Sequence, residues 1–171
     1  MENRNIYWLA IDLNEASLLE LKHRAVISQG WCDLNATCLL SFLEDRSTFD
    51  VVFAALFKRY YAPQDAGSVS RIFWDLLHVK CGDLIVGIEG TTVMGICEVT
   101  QDGSTSYRWD NFHGYAQTVS YGVKWFDWSV VSPDFTPIAP AQSVQGIRGL
   151  EKDHQLVTEA WDRYQSRLIR Q

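Results

Sequence analysis

Residues Lys80 to Thr100 read KCGDLIVGIEGTTVMGICEVT. Two short apolar runs, Leu84–Ile88 and Val93–Val99, flank Glu89-Gly90-Thr91-Thr92. Apolar runs of this length around a glycine-bearing turn predict a β-hairpin of a small barrel. Asp83 leads the first run directly after Gly82, and a Gly30-Trp31 lies upstream and a Val123-Lys124-Trp125 downstream.

Working back from the hairpin, Ser68 is placed to cap a helix running to about Val79, after the turn Ala62–Gly67. Its apolar stripe is Val69, Ile72, Phe73, Leu76 and Leu77, and Trp74 lies roughly 130° from the stripe's centre at the 100° per residue of an α-helix. An aromatic there covers a neighbouring element, lines a pocket or meets a partner. Ser47-Thr48-Phe49-Asp50 opens an earlier helix to about Tyr61, with the stripe Phe49, Val52, Phe53, Leu56, Phe57 and Tyr60. Further upstream, Ile6–Ile11 reads as a strand, and Asn14 as the cap of a helix to about Arg24. Ala25–Trp31 follows as a second strand ending in Gly30-Trp31, and Thr37–Leu43 as a short helical segment.

Downstream, Gln101–Ser106 is a polar turn and Tyr107–Trp109 a short strand. Val119–Trp125 alternates strictly, which sets Val119, Tyr121, Val123 and Trp125 on one face. Ser132–Pro140 is an extended, proline-rich connector, and an amphipathic helix closes the chain at about 150–169 with Leu156, Val157, Ala160, Trp161, Tyr164 and Leu168 on one face. The pattern predicts an α+β fold, a curved mixed β-sheet or barrel flanked by helices, as one domain over 1–171. A chain of 171 residues with 47% apolar content suffices for one full core. No apolar run reaches the roughly 18 residues that span a bilayer. The opening MENRNIYWLAID has no signal-peptide core, so a cytoplasmic protein without membrane contact is expected.

Taken in order, the Gly-Trp strand end, the Gly-Asp-led hairpin and the Val-x-Trp strand, spread over Tyr7 to Trp128, resemble the PUA-like superfamily. The match is to the branch holding EVE and YTH domains and the DNA-binding modules of McrB-type modification-dependent restriction systems. The resemblance implies a PUA-like sheet and a module that flips a nucleotide out of its stack and holds the base in an aromatic pocket. It also implies an antiphage or restriction context, with a separate nuclease or another defence protein as a candidate partner.

The residues bear on that chemistry independently. Seven Trp, seven Tyr and eight Phe are more rings than the core stripes absorb. Trp31, Trp74, Trp109, Tyr121 and Trp125 remain as cage candidates, since each ring stacked on a base is worth about 1–3 kcal/mol. A cage alone does not choose a base. Asp33 and Asn35 are the nearest groups able to accept from the exocyclic amine of cytosine or adenine, with Asp33 alternatively the N-cap of the Thr37–Leu43 segment. Arg71, Lys80 and Lys124 are candidate phosphate contacts, although a net charge of −6 weakens any reading in which nonspecific phosphate attraction dominates.

The four cysteines and four histidines fall in no metal-ligand or disulfide spacing, and no phosphate loop, nucleophile elbow or carboxylate dyad is present. No metal, cofactor or catalysis is expected. The expected function is a noncatalytic reader of a modified base of the 5-methylcytosine or N6-methyladenine type, on DNA rather than RNA. The alternatives are an RNA-binding YTH-like reader and a protein-interaction module whose base pocket has been lost.

Overall fold

The structure, a computed structural model, describes residues 4–11, 18–112, 114–140 and 145–170. Its strands and helices follow in the order β1 (Ile6–Ala10), α1 (Leu18–Arg24), β2 (Val26–Gln29), α2 (Arg46–Phe57), α3 (Ala66–His78), β3 (Leu84–Glu89), β4 (Thr92–Glu98), α4 (Gly103–Ser106), β5 (Arg108–Phe112), β6 (Tyr115–Tyr121), β7 (Phe126–Asp127), α5 (Trp128–Val131), β8 (Ile147–Gly149) and α6 (His154–Ile169). Thr37–Phe42 and Pro63–Asp65 are short 3-10 helices. The fold is α+β. The strands form a five-stranded sheet in the order β7-β4-β3-β1-β8 and a three-stranded sheet in the order β2-β6-β5, rather than closing into one barrel.

The decisive hairpin forms where its sequence places it. Glu89 pairs with Thr92, leaving Gly90-Thr91 as a two-residue turn with Gly90 at φ +59°. Glycine at the first central position is what a type II′ hairpin turn demands. The neighbour β1 runs parallel to β3 and antiparallel to β8, so the five-stranded sheet is mixed. Both of its faces are covered. Ile6, Trp8, Leu84, Val86 and Ile96 pack with Val157, Ala160 and Trp161 of α6. On the other face, Leu9, Ile85, Cys97 and Val99 join the larger core with α2 and α3. That two-sided burial explains why β3 is apolar at nearly every position instead of alternating.

The stripe of α3 is buried at all five expected positions. Its first turn lies two residues earlier than Ser68, whose hydroxyl donates to the Asp65 carbonyl at 2.9 Å. The cap of α2 is Asp45, whose carboxylate accepts from the Ser47 and Thr48 amides. Tyr60 lies beyond the end of α2 and is exposed. The expected cap Asn14 lies outside the described residues. On α6, Val157, Ala160, Trp161 and Tyr164 are buried, whereas Leu156 and Leu168 are exposed. That helix begins at His154 because Ile147–Gly149 pairs with β1 and the Leu150 amide donates to Ile6.

One strand ends sooner than its alternation suggests. β6 stops at Tyr121, where Ser120 (φ +54°) and Gly122 (φ +74°) turn the backbone and the register with β2 shifts. Val123 and Trp125 are therefore not continuations of the strand that carries Val119. Among the described residues, no helix is long and apolar enough to cross a membrane.

Candidate functional site

The three-stranded sheet carries an unusual set of buried polar side chains: Ser28 and Gln29 on β2, and Gln117, Thr118 and Ser120 on β6. Buried polar groups must find partners or lose stability. Ser28 and Thr118 pair hydroxyl to hydroxyl at 2.8 Å. Gln117 spends its amide N–H groups on the loop that follows β2: Nε2 donates to the carbonyls of Trp31 at 2.9 Å and Leu34 at 2.7 Å. Its Oε1 accepts from the Tyr107 hydroxyl at 2.6 Å, and that hydroxyl accepts from the Ala36 amide at 3.0 Å. Burial first of all pushes the Tyr107 hydroxyl up to about 12, which keeps it a proton donor to Gln117.

Two further bonds fix the same loop. The Trp109 indole Nε1 donates to the Cys32 carbonyl at 2.9 Å, and the Cys32 thiol donates to Gly114 at 3.1 Å. Held in this way, Trp31 adopts φ +60°. Left-handed backbone is uncommon for a bulky residue and costs on the order of 1–3 kcal/mol, so it persists only where its surroundings enforce it.

The Trp31 ring is half-buried and meets the Phe73 ring edge-on, with centroids 5.8 Å apart. Its outer edge approaches Gly146, which leads into β8 at φ +62°. A Cβ placed on Gly146 would lie 3.2 Å from Trp31 Cη2 and 2.7 Å from Gln29 Oε1, with Ile72 of α3 closer still. The absence of a side chain at Gly146 is thus what lets the Trp31 edge and the Gln29 amide converge. Gln29 is 1% exposed, and neither Oε1 nor Nε2 has a hydrogen-bond partner.

The other expected site residues divide among different roles. Asn35 lies just before the 3-10 helix at Thr37–Phe42, whose N-cap is Ala36, and its Oδ1 accepts from the Thr37 amide at 3.0 Å and hydroxyl at 2.6 Å. Asp33 is therefore not the N-cap of this segment. Asp33 is exposed and meets the Tyr61 hydroxyl at 3.4 Å through Oδ2. Trp74 stacks on His78 of its own helix at 4.0 Å and packs against α2, meeting Phe49 edge-on at 5.0 Å and lying under the Arg46 guanidinium. Trp125 is 6% exposed in the main core, with Nε1 donating to the Val26 carbonyl at 2.9 Å and the ring against Gly87. Its surroundings are those of a structural tryptophan.

Tyr121 lies under the Arg108 guanidinium, 4.8 Å from its ring, and both line a recess of 240 Å³. Trp109 remains 46% exposed beside Cys32. Of the cations, Lys80 pairs with Asp102 at 3.3 Å and Lys124 sits 5.1 Å over the Phe126 ring, while Arg71 is exposed on α3 next to Ile72. An open groove of 710 Å³ beside α6 is lined by none of these aromatics. Among the described residues, no cluster of His, Cys, Asp and Glu could hold a metal ion.

Sequence reasoning missed Gln29, Gln117 and Gly146. Two amides on strands, in Ser28-Gln29-Gly30-Trp31 and Ala116-Gln117-Thr118, were the available signal, because glutamine is uncommon on a strand buried on both faces. No protein-family model matches the chain, and no curated protein or solved structure matches it either.

Proposed function

We propose that this chain is a noncatalytic nucleic-acid-binding module of PUA-like, EVE/YTH-like type that takes an extruded, modified base against Trp31. The observation that carries the reading is the enforced left-handed conformation of Trp31, held by Gln117, Tyr107 and Trp109 through the loop around it. A ring fixed before the ligand arrives loses little freedom on binding, which is how strain at a site is turned to use. Trp109 supplies a second, exposed ring beside the same loop, and Arg71 an exposed cation on the helix that supports Trp31 through Phe73. Trp74 and Trp125, by contrast, are occupied by packing. DNA carrying a 5-methylcytosine- or N6-methyladenine-type base, in a restriction or defence setting beside a separate nuclease, is the expected partner.

The test is affinity for strands that differ only in one base's modification. Trp31→Ala is expected to weaken binding to the modified strand by roughly 1–3 kcal/mol with the fold intact. Arg71→Ala should weaken modified and unmodified strands about equally and flatten the salt dependence. A parent protein without nucleic-acid affinity at low salt would favour the second reading, a protein-interaction module, which the −6 charge supports.

A further inference from the structure

We infer that the open recess lined by Arg108 and Gln101 is an oxyanion site, and that it takes a backbone phosphate of the bound single strand. The inference rests on the nucleic-acid reading and deepens it. The recess measures 240 Å³, and its lining is Gln101, Thr105, Ser106, Tyr107, Arg108 and Tyr121, with no carboxylate among them. Arg108 is exposed and, among the described residues, forms no ion pair, whereas Lys80 is paired with Asp102 at 3.3 Å. Its guanidinium lies over the Tyr121 ring, 4.8 Å from the centroid. A guanidinium held over a ring face keeps its N–H donors, which lie in its own plane, free to meet the oxygens of an anion. Gln101 uses Oε1 to accept from the Tyr121 amide at 3.1 Å, and its Nε2 has no partner among the described residues. The Thr105 and Ser106 hydroxyls donate to the Asp102 carbonyl, so the free donors of the recess are those of Arg108 and Gln101. The Tyr121 hydroxyl is enclosed, which leaves its ring as the wall.

The neighbour of Arg108 selects a phosphodiester over other anions. β5 is the edge strand of the three-stranded sheet, and Arg108 and Trp109 are consecutive and both exposed on it. Successive side chains of a strand take opposite faces, so the guanidinium and the indole stand on the two sides of one open edge. Trp109 is tied in turn to the loop of Trp31 through the Cys32 carbonyl. Single-stranded nucleic acid is bound by this combination, cations for the backbone and rings for the bases. A strand crossing the β5 edge therefore brings a phosphate to Arg108 and a base to the rings beyond it.

Two single strands of DNA test this, identical except at one central position that carries 5-methylcytosine or an abasic site. A backbone contact does not depend on the base. Arg108→Gln is therefore expected to weaken both strands about five- to tenfold and to flatten the slope of log affinity against log salt by about 0.7, with the melting temperature unchanged. Gln101→Glu keeps the acceptor for the Tyr121 amide and turns the free donor into a carboxylate oxygen, so it should weaken both strands at least as much. Arg170→Gln removes the same charge at the end of α6, which packs on the other sheet, and should leave both affinities within about twofold at roughly 0.1 M salt, where distant charges are screened. If Arg108→Gln and Arg170→Gln bind alike while Trp31→Ala loses the preference for 5-methylcytosine, the recess takes no phosphate and the base-reader reading stands. If Trp31→Ala changes nothing while Arg108→Gln weakens both strands, the base reading fails and the phosphate site survives it. A lowered melting temperature for Arg108→Gln, with no loss of affinity beyond the folded fraction, makes the guanidinium a cover for Tyr121 and overturns the inference. A parent that binds neither strand defeats both.

Discussion

Gln29 and Gln117 pair in register across β2 and β6, and the molecule uses the same side chain in opposite ways. Gln117 is 0% exposed and makes three hydrogen bonds, two to loop carbonyls and one from Tyr107. Gln29 is equally buried and makes none. The same division separates two of the tryptophans. Trp125 has its indole N–H bonded and its ring in the core, whereas Trp31 is half-buried on strained backbone. Where polar groups are satisfied and rings enclosed, the residue holds the fold. Where they are left unsatisfied or strained, the fold is holding the residue, and such departures are expected at functional positions.

The largest effect that sharpens the contrast is at the tryptophans. Trp125→Ala empties a core position and leaves the Val26 carbonyl without its donor, so a loss of about 3–5 kcal/mol is expected, read from the urea midpoint at constant slope. Trp31→Ala removes a half-buried ring and should cost well under half of that. Equal losses would erase the distinction between the two rings.

Gln117→Leu comes next. It puts an apolar side chain of similar size in place of the amide and strands the Trp31 and Leu34 carbonyls and the Tyr107 hydroxyl, for an expected loss of roughly 2–4 kcal/mol. Since the loop that fixes Trp31 is released as well, base binding should weaken beyond what the folded fraction explains. A Gln117→Leu protein as stable as the parent would mean the clamp contributes nothing to the fold.

How much of this could be read from the sequence follows from what each feature depends on. The hairpin and the α3 stripe depend on apolar periodicity, which is written in consecutive residues, and both formed as read. Trp125 was assigned to a strand face because alternation continues through it, but positive φ at Ser120 and Gly122 ends the ladder first, and periodicity carries no backbone sign. β8 is three residues long, too short to register as a pattern, yet its pairing brings Leu150, where the last helix was expected to start, onto the Ile6 carbonyl of β1. Trp31 stood out in the sequence as a candidate through Gly30-Trp31. Gln29 did not, because whether a buried amide is paired depends on groups far away in the chain, here Gly146 and the elements packed beside it.

The smallest effect tests the convergence at Gly146 and has an internal control. Gly146→Ala places a side chain at φ +62°, where an L-residue pays about 1–2 kcal/mol, and presses the new methyl onto Ile72, Gln29 and Trp31 together. Gly149→Ala, three residues along the same chain in β8, meets no atom within 4 Å and needs no positive φ. It should change stability by less than about 0.5 kcal/mol. The expected result is a lowered urea midpoint for Gly146→Ala alone, with a change in tryptophan emission as the Trp31 edge is displaced. If both alanine variants unfold together with the parent and emit alike, the Trp31 edge and the Gln29 amide do not meet at Gly146.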